Sequence, residues 1–399
     1  MKALKWIKEN KIFFVTFGML MVISLEYLSQ KEFIHFMDNY YYPLYVIDYS
    51  CGYSSRLLIG SIFSLFIDGQ AHFTTIIQFM LSVYAAVCFV LSVFINNYLK
   101  NTKYEPVAVY ALFLIISPTF LSYLRFLGTL DIFWTFPVVA SLWAVNKKGW
   151  RWLVPVFCAL ALCIYELFVT TFLPVMAIVV FYQFVKKPNV SNFIYIAVCA
   201  VVVGLSTLYF LRLGDFTMKM TSDELVAFAQ SRLDEKGRTF DQYYIRSVLF
   251  WETPEVENYH GFSGYIKYCY EYFIKDNPSR LKMNAFFLLS NFITAVPYVY
   301  LIVKAFRKAE KPLRKFIFLC SLSPLAFVVI NLFLSTDTER FSTHFLLAML
   351  YLALFFIKEN DTDFSDSYDE LKLTVQRHKI SVALFAVAAV RIILSGVRF

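Results

Sequence analysis

Two aspartates, Asp38 and Asp48, sit among tyrosines in the segment MDNYYYPLYVIDYS. A carboxylate partly stripped of water is a stronger base than one in bulk solvent, and can take a proton from a hydroxyl. The blander reading is a pair of solvated loop acids or helix caps. Arg56 follows in CGYSSRLLIG. A guanidinium there suits a lipid phosphate or diphosphate gripped by two parallel hydrogen bonds, or an ordinary headgroup reached by snorkelling. Arg125 and Asp131 bracket RFLGTLD; they either pair with each other or leave Arg125 to a phosphate. Glu166, in CIYELF, is a candidate in its own right or a partner that neutralises Arg56 or Arg125. Asp337, Glu339 and Arg340 form the turn STDTERF, and His344 follows Arg340 at i+4. That spacing sets both on one helix face, where together they can hold an anion. Arg391, inside the last apolar run, needs a partner or water.

These residues must be positioned by apolar elements. The chain is 59% hydrophobic and 17% charged, with a mean hydropathy of +0.59, well away from the roughly 25% charged residues of soluble domains. Apolar runs fall at about 12–29, 73–98, 105–122, 131–146, 151–167, 169–185, 192–213, 282–303, 314–334, 340–357 and 380–397. Cations crowd alternate connections between them: Lys100 and Lys103; Lys147, Lys148 and Arg151; Lys186 and Lys187; Lys304 through Lys315; and Lys358, Lys372, Arg377 and Lys379. The other connections hold the candidate residues above. The positive-inside rule therefore predicts an all-α polytopic membrane protein of about eleven transmembrane helices, N-terminus in and C-terminus out, whose chemistry faces outward. Leu57–Ile67 is apolar but too short to cross, so it reads as an interfacial or re-entrant helix on the outer face. The spans divide into an N-terminal module, 1–213, and a C-terminal module, 282–399, separated by an amphipathic helical cap at 214–281 that carries Trp251.

A net charge of +8 raises nucleic acid as a partner, but the cations lie at span ends rather than in a stripe, which excludes it. Five of the seven cysteines fall in apolar runs; Cys51 and Cys269 fall in outer loops, where a disulfide between them is an option. The basic start and long apolar run of residues 1–28 suit an uncleaved signal anchor. No P-loop, dinucleotide fingerprint, HExxH, nucleophile elbow or selectivity filter is present.

The acidic first outer loop, the Arg before LLIG, RFLGTLD, YELF with a following proline (Pro174), and STDTERF together resemble the polytopic GT-C-type glycosyltransferases and surface-polysaccharide polymerases of bacteria. The resemblance implies a multi-pass protein of the plasma membrane with its active face extracytoplasmic. Its partners would be a polyprenyl-phosphate- or diphosphate-linked sugar donor, a glycan acceptor and membrane lipids. It also implies that Asp38 or Asp48 is the catalytic acid group, that Arg56, Arg125, Arg340 and His344 bind lipid phosphate, and that Asp131, Glu166, Asp337 and Trp251 support them. A divalent metal is an option, although this loop lacks the paired adjacent carboxylates frequent in the family. Two rival readings are a transporter or flippase of a lipid-linked or polar substrate, and a non-catalytic membrane scaffold.

Overall fold

The computed structural model describes residues 2–67, 69–116, 122–212, 217–234, 240–250, 252, 267–268, 270–271, 275, 278–326, 338–383 and 386. The described chain is mostly helical. Among the described residues, four helical segments are long and apolar enough to cross a membrane: Lys11–Ser29, Phe73–Leu99, Val190–Phe210 and Arg340–Lys358. Three other apolar segments, Leu130–Ala144, Trp150–Ile164 and Leu173–Lys186, are shorter. Prolines account for part of the shortening. Pro155 and Pro174 stand in the first turns of the helices Val154–Ile164 and Leu173–Lys186, where a missing N–H costs nothing. The expected span at 314–334 is described as the helix Pro312–Cys320 and residues up to 326. Of the expected span at 380–397 only 380–383 and 386 are described, and Arg391 lies outside the described residues.

The helix that carries Arg340 and His344 is the structural centre. Its apolar window is 94% buried, against 11% for Val190–Phe210, which turns most of its surface outward. The central helix packs against Phe73–Leu99, Val107–Ile116, Leu173–Lys186 and Pro278–Lys308. Phe345, Leu350, Leu354 and Phe356 are buried along it, and between helices in a bilayer such contacts act through van der Waals packing rather than removal from water.

Polar contacts sort the described connections into two groups. At one end Asn96 donates to Asn10 (2.9 Å), Lys11 pairs with Glu105 (2.5 Å) and Lys103 with Asp369 (2.6 Å). The same end holds Arg151 on Asn192 (2.7 Å), Lys186 on Glu359 (2.7 Å) and Arg314 on Asp361 (2.6 Å). Asp361 also caps the amphipathic helix Thr362–Arg377 by accepting from the Phe364 N–H. The other group joins residues 48–56, 71–72, 131, 166, 232–244 and 340–344.

That second group sits beneath the expected cap. Its helix Ser222–Arg232 begins with a complete capping box, Thr221 with Glu224. Two short ladders, unforeseen in an all-α reading, stitch the cap to the first long connection. Gly52–Tyr53 pairs antiparallel with Thr217–Met218, and Ala71–His72 pairs parallel with Leu233–Asp234. Most of 253–277 lies outside the described residues, Trp251 with it. Cys51 is a buried free thiol, and Cys269, its optional disulfide partner, lies outside the described residues. Leu57–Ser64 is a helix of eight residues, in keeping with a segment too short to cross. Gly60 lets it approach the preceding chain: a Cβ there would collide with the Ile47 carbonyl oxygen.

Candidate functional site

The site is built where the first long connection meets the end of the helix Val154–Ile164. Arg56 precedes Leu57–Ser64 with a left-handed φ of 74°, a conformation that non-glycine residues rarely hold unless their surroundings impose it. Its backbone N–H donates to the Cys163 carbonyl at 2.9 Å, in the last turn of that helix, where carbonyls lack intrahelical partners. The same residue thereby brings its cation to the negative end of the helix dipole. Tyr165, extended at φ −162°, ends the helix and turns Glu166 towards Arg56.

Arg56 Nε donates to Glu166 Oε2 at 3.1 Å, Nη2 donates to Oε1, and Nη1 donates to the Tyr244 hydroxyl at 3.1 Å. Ser55 Oγ adds a 2.5 Å bond to Glu166 Oε2. Burial alone would push the Glu166 carboxyl up; the Arg56 guanidinium, with the Ser55 hydroxyl, outweighs burial and holds it below its ordinary value. The Arg56 guanidinium also lies 4.6 Å from the centroid of the Tyr165 ring.

A second ionic cluster meets the same ring. Arg340 lies 6.0 Å from the Tyr165 centroid, with its Nε 3.0 Å from Asp131 Oδ2. His344 Nε2 lies 2.7 Å from that oxygen, and His344 Nδ1 lies 3.0 Å from the Tyr123 hydroxyl. Facing the Asp131 carboxylate, Nε2 carries a proton and donates, and the Tyr123 hydroxyl can serve Nδ1 as donor or acceptor. Asp131 and His344 are both fully buried. Trp134 fixes the group: it stacks on Tyr165 at 5.6 Å, meets the His344 ring edge-on at 5.0 Å and donates Nε1–H to the Ala161 carbonyl.

Several expectations change against this geometry. Asp131 does not pair with Arg125; it faces Arg340 and His344, because the turn before Leu130–Trp134 points it at the central helix. Arg340 and His344 both face the Asp131 carboxylate. Of the two readings for Glu166, neutralisation of Arg56 is the one realised. Arg125 ends the one-turn helix Ser122–Arg125 and is half-buried, two residues from Tyr123. Asp337 lies outside the described residues.

The aspartates of the first loop are placed differently from each other. Asp48 is buried, with Oδ1 accepting from the Ser50 N–H (2.8 Å) and Oγ (2.5 Å) and Oδ2 accepting from Arg232 of the cap (2.9 Å). Donors thus occupy both of its oxygens. Asp38 is exposed and precedes the 3-10 turn Asn39–Tyr45 without capping it through its side chain. Its neighbour Tyr40 meets the Tyr244 ring at 5.0 Å, and Tyr244 in turn holds Arg56.

Tyr123, Trp134, Tyr165, Arg232 and Tyr244 were not singled out by the sequence. Tyr165 alone had a local signal, its adjacency to Glu166. Among the described residues, no three His, Cys, Asp or Glu side chains converge as a metal-ligand set. Comparison with descriptions of protein families, with curated proteins and with solved structures found no match.

Proposed function

We propose that this chain is an integral membrane glycosyltransferase that takes a sugar from a polyprenyl-phosphate or diphosphate donor and serves cell-surface glycan assembly. The proposal includes the arrangement of about eleven spans in the plasma membrane, N-terminus in, with the site extracytoplasmic. The observation that carries it is the convergence of Arg56 and Arg340 on the Tyr165 ring from distant parts of the chain, under a cap rich in tyrosines.

Glu166 and Asp131 pair these arginines, which keeps buried cations compensated. A phosphate offers more charge and more acceptor oxygens, and so competes for the same donors. In the reaction, Asp38 takes the proton of an acceptor hydroxyl, whose oxygen bonds to the anomeric carbon. The bond from that carbon to the donor phosphate oxygen breaks, and the lipid phosphate leaves with the electron pair. Arg56 and Arg340, with Arg125 nearby, stabilise its charge. Asp48 holds the cap in place through Arg232, while Tyr40 and Tyr243 offer ring faces to the glycan.

The test uses the full chain in liposomes containing a polyprenyl-diphosphate-linked sugar, with release of the lipid diphosphate as the readout. Arg56→Lys retains charge but loses the planar fork, and is expected to slow release by about 100-fold. Undiminished release by Arg56→Lys would remove Arg56 from the site.

One observation favours a second reading, a proton-coupled transporter of a lipid-linked or polar substrate. The fully buried chain Asp131–His344–Tyr123 is the kind of relay that proton-driven carriers place in their helices. Movement of the lipid-linked sugar across the bilayer without release of its phosphate would favour that reading.

A further inference from the structure

At the opposite end of the bundle, the turn between the segments Leu130–Ala144 and Trp150–Ile164 carries six chemically distinctive residues within ten positions: Trp143, Lys147, Lys148, Trp150, Arg151 and Trp152. All three tryptophans are exposed. Lys147 Nζ lies 3.1 Å above the Trp143 ring, and Trp143 meets Trp150 edge-to-face at 5.5 Å. Arg151 is anchored by Asn192 Oδ1 and Ser191 Oγ, and it lies 5.4 Å from the Trp152 ring centroid and 5.1 Å from that of Tyr195. Gly149, at φ +92°, makes the turn.

The turn combines cations without a nearby acid and exposed indoles, whereas cations elsewhere at this end divide between those paired to a carboxylate and those, such as Lys187 and Lys358, with no salt bridge among the described residues. At the same end Lys103, Lys186, Lys304, Lys308 and Arg314 each pair with a carboxylate. Lys147, Lys148 and Arg151 form no salt bridge among the described residues, and the sequence from Ile132 to Tyr165 contains no acid. Uncompensated cations flanked by exposed indoles match a partner that is anionic at its head and apolar beneath. Indole rings settle at headgroup depth, and cations beside them meet phosphates.

We propose that this turn binds the headgroup of an anionic phospholipid, its phosphate held by Lys147 and Lys148 with Arg151 alongside, and its glycerol and upper acyl carbons lying against Trp143, Trp150 and Trp152. The site is separate from the Arg56–Arg340 cluster and does not depend on what that cluster does.

The test places the full chain in phosphatidylcholine vesicles containing a photoactivatable phosphatidylglycerol or photoactivatable phosphatidylcholine, and maps adducts by peptide. Phosphatidylglycerol is expected to label the 143–152 peptide far more than phosphatidylcholine. The double variant Lys147→Gln/Lys148→Gln should lower phosphatidylglycerol labelling by about 25-fold, or five-fold per lysine. Lys100→Gln should leave it unchanged. In the unaltered protein, salt at about 1 M should remove the preference, since screening then acts within about 3 Å. Equal labelling by the two lipids, or a preference that survives both salt and the double variant, would overturn the proposal.

Discussion

Glu166 holds Arg56 through both of its carboxylate oxygens, although 110 positions separate the two residues. The pair fastens the strained start of Leu57–Ser64 to the end of Val154–Ile164, and Tyr244 ties it to the cap. Removing one partner leaves a buried charge uncompensated, at a cost of about 3–5 kcal/mol. Glu166→Gln and Arg56→Met should therefore each lower the thermal midpoint of the protein in detergent. The double variant should lose less than the sum of the two, because neither charge is then stranded. Additive losses would show that the pair is not coupled.

The pH dependence follows from the same pair. Arg56 depresses the Glu166 carboxyl below its ordinary value of 4.5, so its contribution is full above that value and is lost as pH falls through the folded-state value. Midpoints measured between pH 7 and pH 3 should fall on the acid side in the unaltered protein. In Glu166→Gln, with no carboxyl to titrate there, that part of the fall should be absent.

Asp48 and Arg232 give a different outcome, since Arg232 is 36% exposed and solvent screens the pair. Asp48→Asn is expected to cost only about 1 kcal/mol. The change should be local: limited proteolysis within Ser222–Arg232 should quicken roughly five-fold while the midpoint of the helical bundle stays nearly fixed. A large loss of global stability would show that Asp48 supports more than the cap.

Gly60 tests the close approach beneath the site. Its Cβ would meet the Ile47 and Leu44 carbonyl oxygens, so Gly60→Ala must push Leu57–Ser64 outward, at about 1–3 kcal/mol. Because Arg56 immediately precedes this helix, the variant should weaken phosphate-dependent activity together with stability. Gly18→Ala, in open space, should do neither.

The long apolar helices were legible in the sequence because hydropathy is a local property of each segment. The pairing of Arg56 with Glu166 was one of several choices, and only the left-handed backbone at Arg56 shows how it is reached. Asp48 offered no sign of Arg232, which lies 184 positions away. Tyr123, Trp134, Tyr165 and Tyr244 were hidden by abundance: among 44 Phe and 27 Tyr, an aromatic residue carries little local signal. The two-residue ladders of the cap were equally silent, since tertiary contact rather than strand propensity makes them.

The central claim is that the Arg56–Arg340 end of the bundle transfers a sugar. The most direct measurement compares cell-surface glycans of a strain lacking the gene with strains carrying Asp38→Asn, Asp48→Asn or Arg56→Lys at matched protein levels. The expected result is loss of one sugar or polymer in the deletion, the same loss with Asp38→Asn and Arg56→Lys, and much of the product retained with Asp48→Asn. A glycan lost in the deletion but intact in all three variants would contradict the site, and a glycan unchanged in the deletion would contradict the function.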